Sequence, residues 1–427
     1  MGPLAGVKVV DLTHVMAGPT CTLMLADMGA EVIKVESPQG DDTRHSLPNI
    51  GDQSAAFMMM NRNKRGIVLN LKTEGGIEAM RRLAAEADIL VENFAPGVLD
   101  RFGLGYEALR KINARLVYCS LSGFGRTGPY SERRGFDLVA QAMSGIMTFT
   151  GSDATSPPTK CGPPISDITA GLLGAMGILA AYSHRLKTGE GQMVDTSLFE
   201  AALVQTYWQS AIALATGRAP RAMGSAHPLN APYQAFEAQD GWLVVGGANP
   251  RNWLRLVEAI GAPELAEDPR FRDNPGRMAN LPALEKELAA RFKTQTVSHW
   301  LTLFERGGLP CGPVYDSLQA LSDPQTAARR MVVELDHPTA GKAPALGLPV
   351  KFSETPGDVR RPAPILGQHS REVMAELGFT PAEIEEMERL GVFGSRVPLT
   401  ATKLDTSAAQ DGCTTVKQAD PNRMAPA

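Results

Sequence analysis

The sequence is short of the features that mark several large classes of protein. Cysteine is scarce: Cys21, Cys119, Cys161, Cys311 and Cys413 are five thiols in 427 residues, and no CxxC pair occurs among them. That excludes a disulfide scaffold and a cysteine-built structural zinc site, and it fits a reducing, cytoplasmic setting. The seven histidines show no HxxH or HExxH spacing, so no metal is expected. The loop after the first predicted strand reads THVMAGP and lacks GxGxxG, and neither GxxxxGK[ST] nor GxSxG occurs. The nicotinamide, P-loop and serine-hydrolase signatures are therefore missing. Neither sign of charge is in excess: 42 Lys and Arg face 46 Asp and Glu, a net charge of −4. Nothing global draws the chain to nucleic acid or to an anionic membrane. The start carries no basic segment ahead of an apolar one, and no long uninterrupted apolar run follows, so neither a signal peptide nor a membrane span is expected.

What is present is alternation. Residues 6–11 (GVKVVD), 30–36 (AEVIKVE), 67–71 (IVLNL), 88–94 (DILVENF) and 114–124 (ARLVYCSLSGF) read as short apolar strands. Helical segments lie between them, one opened by Pro19 and ended by Gly29, another over 73–87. Such alternation predicts crossover units and an α/β fold around a mostly parallel sheet. A further helix is expected over 170–185, bounded by Ser166–Asp167 and Thr188–Gly189, with Gly171, Gly174, Ala175 and Gly177 forming a small-residue face suited to a close neighbour. Residues 192–204 begin as a strand and become a helix. After a linker-like stretch at 217–232 the pattern changes. YQAFEAQDGWLVVGG predicts a hairpin turning at Asp240–Gly241, followed by helices over 252–261 and 282–306. Residues 1–215 are thus expected to form a large first domain and 225–325 a smaller second one. Residues 331–352 look antiparallel, 381–390 form a short helix with a Thr380–Glu383 capping box, and 400–427 are expected to be a disordered tail.

Ligands of an open parallel sheet sit at the carboxyl ends of its strands, where strand order reverses. By chain position the candidate loops are 14–19, the residues after Glu36, Asn93–Phe94 and 122–128. His14 is then either a site histidine or a hydrogen-bonded loop histidine. Asp167 falls at or beside a helix N-terminus, where free amides favour its charge. It reads either as a plain N-cap, a role Ser166 could share, or as a reactive carboxylate. Arg126, Arg133 and Arg134, like Lys64 and Arg65, fit either ligand phosphates or solvated turns. His227 stands by the inferred domain junction and is a candidate substrate contact.

Taken together, LAGVKVVDLTHVMAGPTCTLMLADMGAEVIKVESPQGDDTR, NRNKRGIVLNLKTEGG, ADILVENFAPGVLDRFGLGYEAL, LVYCSLSGFGRTGPY, SDITAGLLGAMGILAAYSHRLKTGEGQMVDTSLFEA and PAPILGQHSREVMAELG resemble the family III CoA-transferases from Leu4 to about Val392. The resemblance implies a large Rossmann-like domain built from N-terminal and C-terminal (331–397) segments, a smaller α+β domain, and two chains interlocked as a homodimer. It implies that Asp167 is the nucleophile and that coenzyme A enters as the acyl-CoA substrate, with no tightly bound cofactor. Positions matching the family's CoA site are Val15, Ala17, Leu69, Lys72, Asn93, Phe94, Arg101 and Arg134, whereas Ser37 replaces an arginine of formyl-CoA transferase. Met16 and Phe136 stand where formyl-CoA transferase has glutamine and tyrosine, and Phe136 also replaces the histidine of the related racemases. The likeness therefore points toward relatives that use succinyl-CoA and a dicarboxylic acid, rather than to racemization or formyl transfer. Acyl-CoA hydrolysis and non-catalytic CoA binding are compatible with the same motifs. The amides of Gly246 and Gly247 are candidate oxyanion donors, and His227 or Arg44 is a candidate partner for a remote substrate carboxylate.

Overall fold

The inner strands of the sheet are buried on both faces and must be covered on both, and the chain supplies a helix after nearly every one. The computed structural model describes residues 1–394; the expected tail at 400–427 lies outside the described residues. Strands β1 (Lys8–Asp11), β2 (Glu31–Glu36), β3 (Lys64–Val68), β4 (Ile89–Glu92), β5 (Val117–Ser122) and β6 (Met193–Ser197) form one sheet. Its order is β3-β2-β1-β4-β5-β6 and every pairing is parallel. This is the doubly wound order, and it reverses between β1 and β4.

Successive residues of a strand face opposite ways, and each pair here feeds two cores. Val9, Ile89, Val117 and Cys119 pack with helices α1 (Ala17–Asp27) and α3 (Ile165–Thr188). Val10, Leu90 and Tyr118 face the other side, where α2 (Glu74–Glu86) lies beside two helices from the end of the described chain, α4 (Ser370–Glu376) and α5 (Pro381–Arg389). The capping box at Thr380 and Glu383 opens α5. The Gly66 amide donates to Nδ1 of His369, and the Val68 amide to Oγ of Ser370, so the late segment is tied to edge strand β3.

Residues 231–309 gather a core of their own around Phe236, Leu243, Trp253, Leu288, Phe292 and Trp300. It is built on an antiparallel sheet of β7 (Tyr233–Glu237), β8 (Trp242–Gly246) and β9 (Cys311–Pro313), the first two joined at Asp240–Gly241. Strands β10 (Val332–His337) and β11 (Gly341–Leu346) form a separate hairpin.

Two local expectations are corrected. The third strand begins at Lys64, three residues before the predicted start, so Lys64 and Arg65 lie in a buried strand and not on a solvated turn. Lys64 Nζ is 2.9 Å from Asp11 Oδ2, and Arg65 joins Glu31, Glu372 and Glu376. Neither cation is among the residues that line the cavity holding Asp167. The helix predicted over 170–185 in fact runs from Ile165 to Thr188, and by length and composition it resembles a membrane span. Here it lies against the sheet, with Ala170, Gly171, Gly174, Ala175, Ile178 and Ala181 buried.

The small-residue face of α3 is occupied by helix and strand, not by a ligand. A Cβ on Gly171 would stand 2.5 Å from the Ala17 carbonyl oxygen, one on Gly174 would lie 3.1 Å from Leu121, and one on Gly177 would lie 2.7 Å from Val194. The backbone oxygen of α1 cannot yield as a flexible side chain would. Gly171→Ala is therefore expected to lower stability by about 1–3 kcal/mol through overpacking. Urea unfolding would measure it, and an unchanged midpoint would mean that α1 and α3 slide apart without cost.

Candidate active site

Asp167 sits in the first turn of α3, whose N-cap is Pro164 and makes no side-chain capping bond. The plain N-cap reading of Asp167 is thereby set aside. Ser166, the other candidate cap, instead donates its amide to Asp137 Oδ1 at 2.8 Å. Asp137 Oδ2 accepts from Gln141 Nε2, and Gln141 Oε1 accepts from the Cys161 amide. Asp137 thus pins the start of α3 to the segment that precedes it in the chain. No donor reaches the Asp167 carboxylate among the described residues. Burial first, and the Asp137 carboxylate second, push its pKa up to about 6. An unpaired carboxylate of that basicity, at the wall of a cavity, has the properties of a nucleophile or a general base.

The cavity, about 370 Å3, lies outside the carboxyl ends of β1, β4 and β5. His14, Val15, Met16 and Ala17 come from the loop after β1, and Asn93, Phe94 and Val98 from the loop after β4. Leu121 and Ser122 end β5, Gly123 and Arg133–Phe136 follow it, and Asp167 and Leu198 complete the lining. The wall is largely apolar, and its cations, Arg133 and Arg134, are both exposed. Phe136 is 71% exposed, a large ring left on the rim.

The loops after β1 and β4 are bonded to each other. The His14 amide donates to Asn93 Oδ1 at 2.9 Å, and Asn93 Nδ2 donates to the His14 carbonyl at 2.8 Å. The His14 ring packs on Phe94 at 5.5 Å between centroids. Burial is the main reason that His14 is held below the usual histidine pKa. Asn93 therefore shapes the wall with its side chain, and its amide group is already occupied.

Other residues singled out from the sequence lie elsewhere. Leu69 is buried in the second core, and Lys72 and Arg101 are exposed away from the cavity lining. Arg44 is taken by Glu36 through two bonds of 2.7 and 2.6 Å, stacks 3.7 Å over Phe57 and donates to the Pro364 carbonyl. Its guanidinium is not free for a substrate carboxylate. Gly246 and Gly247 are likewise engaged: their amides donate to the carbonyls of Pro310 and Pro232, each at 2.9 Å. His227 packs edge-on against Trp208 and Tyr233 and accepts the Leu229 amide at Nδ1. Arg126, which follows β5, stands 3.8 Å from both Glu92 and Asp100. Sequence reasoning missed Asp137, whose only signal was its place directly after Phe136. It also missed Leu198, which carried none. Among the described residues no cluster of His, Cys, Asp and Glu could hold a metal ion.

Residues 4–370 match the model for CoA-transferase family III. The chain is similar to the succinyl-CoA:glutarate CoA-transferase of Mus musculus, at 39% identity over 395 residues covering 92% of this chain and 90% of that one. It is also similar to the acetyl-CoA:oxalate CoA-transferase of Acetobacter aceti, at 43% identity over 387 residues covering 90% and 97%. A solved CAIB/BAIF family protein from Brucella suis shares 40% identity with a TM-score of 0.78, covering 88% of this chain and 99% of that one.

The raised pKa of Asp167 has a signed consequence for stability. Its value in the folded chain, about 6, lies above the ordinary 3.8, so ionisation favours unfolding, and the loss develops as pH rises from about 4 through about 6. Asp167→Asn removes the ionising group. The variant should gain about 1–3 kcal/mol over the parent at pH 8, with the gap closing below pH 4. Denaturant titrations at pH 4 and pH 8 test this, and a gap that does not depend on pH would contradict the assigned environment.

Proposed function

The chain belongs to CoA-transferase family III, and from that premise we propose that it moves CoA from succinyl-CoA to a dicarboxylic acid by way of covalent intermediates on Asp167. CoA transfer from an acyl-CoA to a carboxylic acid is the family's reaction. The single observation that carries the finer reading is the unpaired, partly buried Asp167 carboxylate at the wall of a largely apolar cavity at the switch point of the sheet.

The sequence of steps is nucleophilic catalysis by a carboxylate. Asp167 attacks the donor thioester carbon, the C–S bond breaks, and CoA leaves as thiolate from an aspartyl–acyl anhydride. The thiolate then attacks the aspartyl carbonyl, which releases the donor acid and leaves an aspartyl–CoA thioester. The acceptor carboxylate attacks that thioester, expelling the thiolate and forming a second anhydride. Return of the thiolate to the acceptor's acyl carbon frees Asp167. One thioester is consumed and one is made.

Each addition places negative charge on a carbonyl oxygen. With the Gly246 and Gly247 amides occupied, the donors at hand are those of the first turn of α1, where Met16 is an N-cap without a side-chain bond and Ala17 lines the same cavity as Asp167. One well-placed donor contributes roughly 3–4 kcal/mol to such a step. The apolar lining from Phe94, Phe136, Leu121 and Leu198 disfavours water, which would hydrolyse the anhydride. Arg133 and Arg134, the cations at the rim, suit the phosphates of CoA. Large apolar side chains exposed on α3 and on residues 207–216, among them Met176, Leu186, Trp208 and Leu214, support a homodimer, and soluble substrates fit a cytoplasmic setting.

Succinyl-CoA and a dicarboxylate are the substrates of this reading because the sequence lacks the glutamine and tyrosine of formyl-CoA transferase at Met16 and Phe136, and because similar relatives act on succinyl-CoA and glutarate. Asp167→Ala should lose transfer by at least a thousandfold and still bind CoA. Hydroxylamine added during turnover should trap a modified Asp167, detectable by mass spectrometry. Turnover without any adduct there would overturn the covalent scheme. Loss of total thioester without an acceptor would indicate a hydrolase. Turnover should also fall as pH drops through about 6, where Asp167 becomes protonated.

A further inference from the structure

The loop after β1 forms one wall of the cavity, yet its shape is imposed from outside it. Val15, a β-branched residue, has φ of +66°, a left-handed conformation that such side chains rarely adopt. The backbone on either side of it is held by three side chains. Lys34 Nζ donates to the Thr13 carbonyl at 2.8 Å. Asn93 takes both the amide and the carbonyl of His14. Asp41 Oδ1 accepts the Val15 amide at 3.2 Å. Lys34 and Asp41 are bonded to each other at 2.9 Å, and their side chains are 0% and 1% exposed. The remaining Asp41 contacts come from Thr43, whose amide and hydroxyl donate to Oδ1, while the Asp41 amide donates to Glu36 Oε1. Arg44 holds Glu36 in turn.

We propose that the buried Lys34–Asp41 pair is a positioning device for this site: it fixes the Thr13 carbonyl and the Val15 amide, and so keeps Val15 in its left-handed conformation and the start of α1 aimed at the bound thioester. The inference rests on the reading of the cavity as the acyl-CoA site. Neither residue lines the cavity that holds Asp167. Both act through the backbone of Thr13 and Val15. A buried pair suits this task better than an exposed one. With no water to compete for Asp41, its carboxylate stays on the Val15 amide, and breaking the pair would leave an unmatched charge inside the fold. Glycine at position 15 would adopt the same backbone conformation without strain, so a glycine there should need the clamp less.

The test uses the affinity of the full chain for free CoA, measured by isothermal titration calorimetry, together with steady-state kinetics. Asp41→Asn should weaken CoA at least tenfold. Val15→Gly alone should weaken it about threefold, through loss of its side-chain contact. The double variant should bind CoA at least threefold tighter than Asp41→Asn does. A merely structural role for Asp41 predicts no such rescue. Multiplied losses in the double variant, or an Asp41→Asn variant that binds CoA as the parent does, would overturn the proposal. Should Asp41→Asn not fold, Thr43→Val removes one donor from the same oxygen and leaves the ion pair. Its smaller loss of CoA affinity should likewise be recovered by Val15→Gly, and absence of recovery would count against the clamp. Failure of the parent reading is separately visible, because Asp167→Ala would then retain transfer.

Discussion

The molecule is organised around charge buried under the carboxyl edge of its parallel sheet. Asp11, the last residue of β1, accepts Lys64 from β3, Thr22 from α1 and Thr13 from the loop that follows it. Burial alone would raise its pKa, but the Lys64 and Lys34 ammonium groups together hold it below the ordinary carboxylate range. Lys34 then reaches Asp41 and the Thr13 carbonyl. Three neighbouring strands, the first helix and two loops are joined through these few fully bonded ions. Such a network adds little net stability, because desolvation offsets attraction. Its contribution is definition: each ion accepts only one arrangement of the backbone around it.

That definition matters because of where the network lies. The sheet reverses order between β1 and β4, and a crevice opens there as a matter of topology. Topology alone gives a crevice of no particular shape. The ions below set the loop after β1, the His14–Asn93 bonds carry that shape across to the loop after β4, and Asp137 sets the start of α3 from the far side. These three walls of the cavity are each fixed by a side chain whose polar atoms are already bonded. Among the described residues, Asp167 is left as the one carboxylate lining the cavity. Burial first, and the neighbouring Asp137 carboxylate second, raise its basicity.

Much of this was legible in the sequence. The inner strands of the main sheet were visible because they are short, largely apolar runs buried on both faces, and Thr380, Pro381 and Glu383 announced a helix because capping is local chemistry. Asp167 and the loops around it were visible as a pattern of matching motifs and as positions after strands. What could not be read were partners distant in the chain. NRNKRG looks like a turn because its charges suggest solvent, and nothing nearby shows that Lys64 finds Asp11 some fifty residues earlier. Gly246 and Gly247 looked like free amide donors because hydrogen bonds to Pro310 and Pro232 leave no trace in sequence. Arg44 failed as a substrate contact for the same reason, its partner Glu36 being one of many acids within reach. The small face of α3 was seen, but whether helix or ligand filled it depended on tertiary packing.

That face has a consequence for how such a site can change. Asp167 rides at the tip of a long rod that is keyed, glycine by glycine, into α1 and the sheet. Arg133 to Phe136, at the cavity rim, belong to a largely exposed surface segment outside those glycine contacts. The link between the two is Asp137, which follows Phe136 and holds the Ser166 amide at the start of α3. Rim side chains other than Asp137 can therefore be exchanged while the glycine contacts keep the start of α3 at a constant distance from the start of α1.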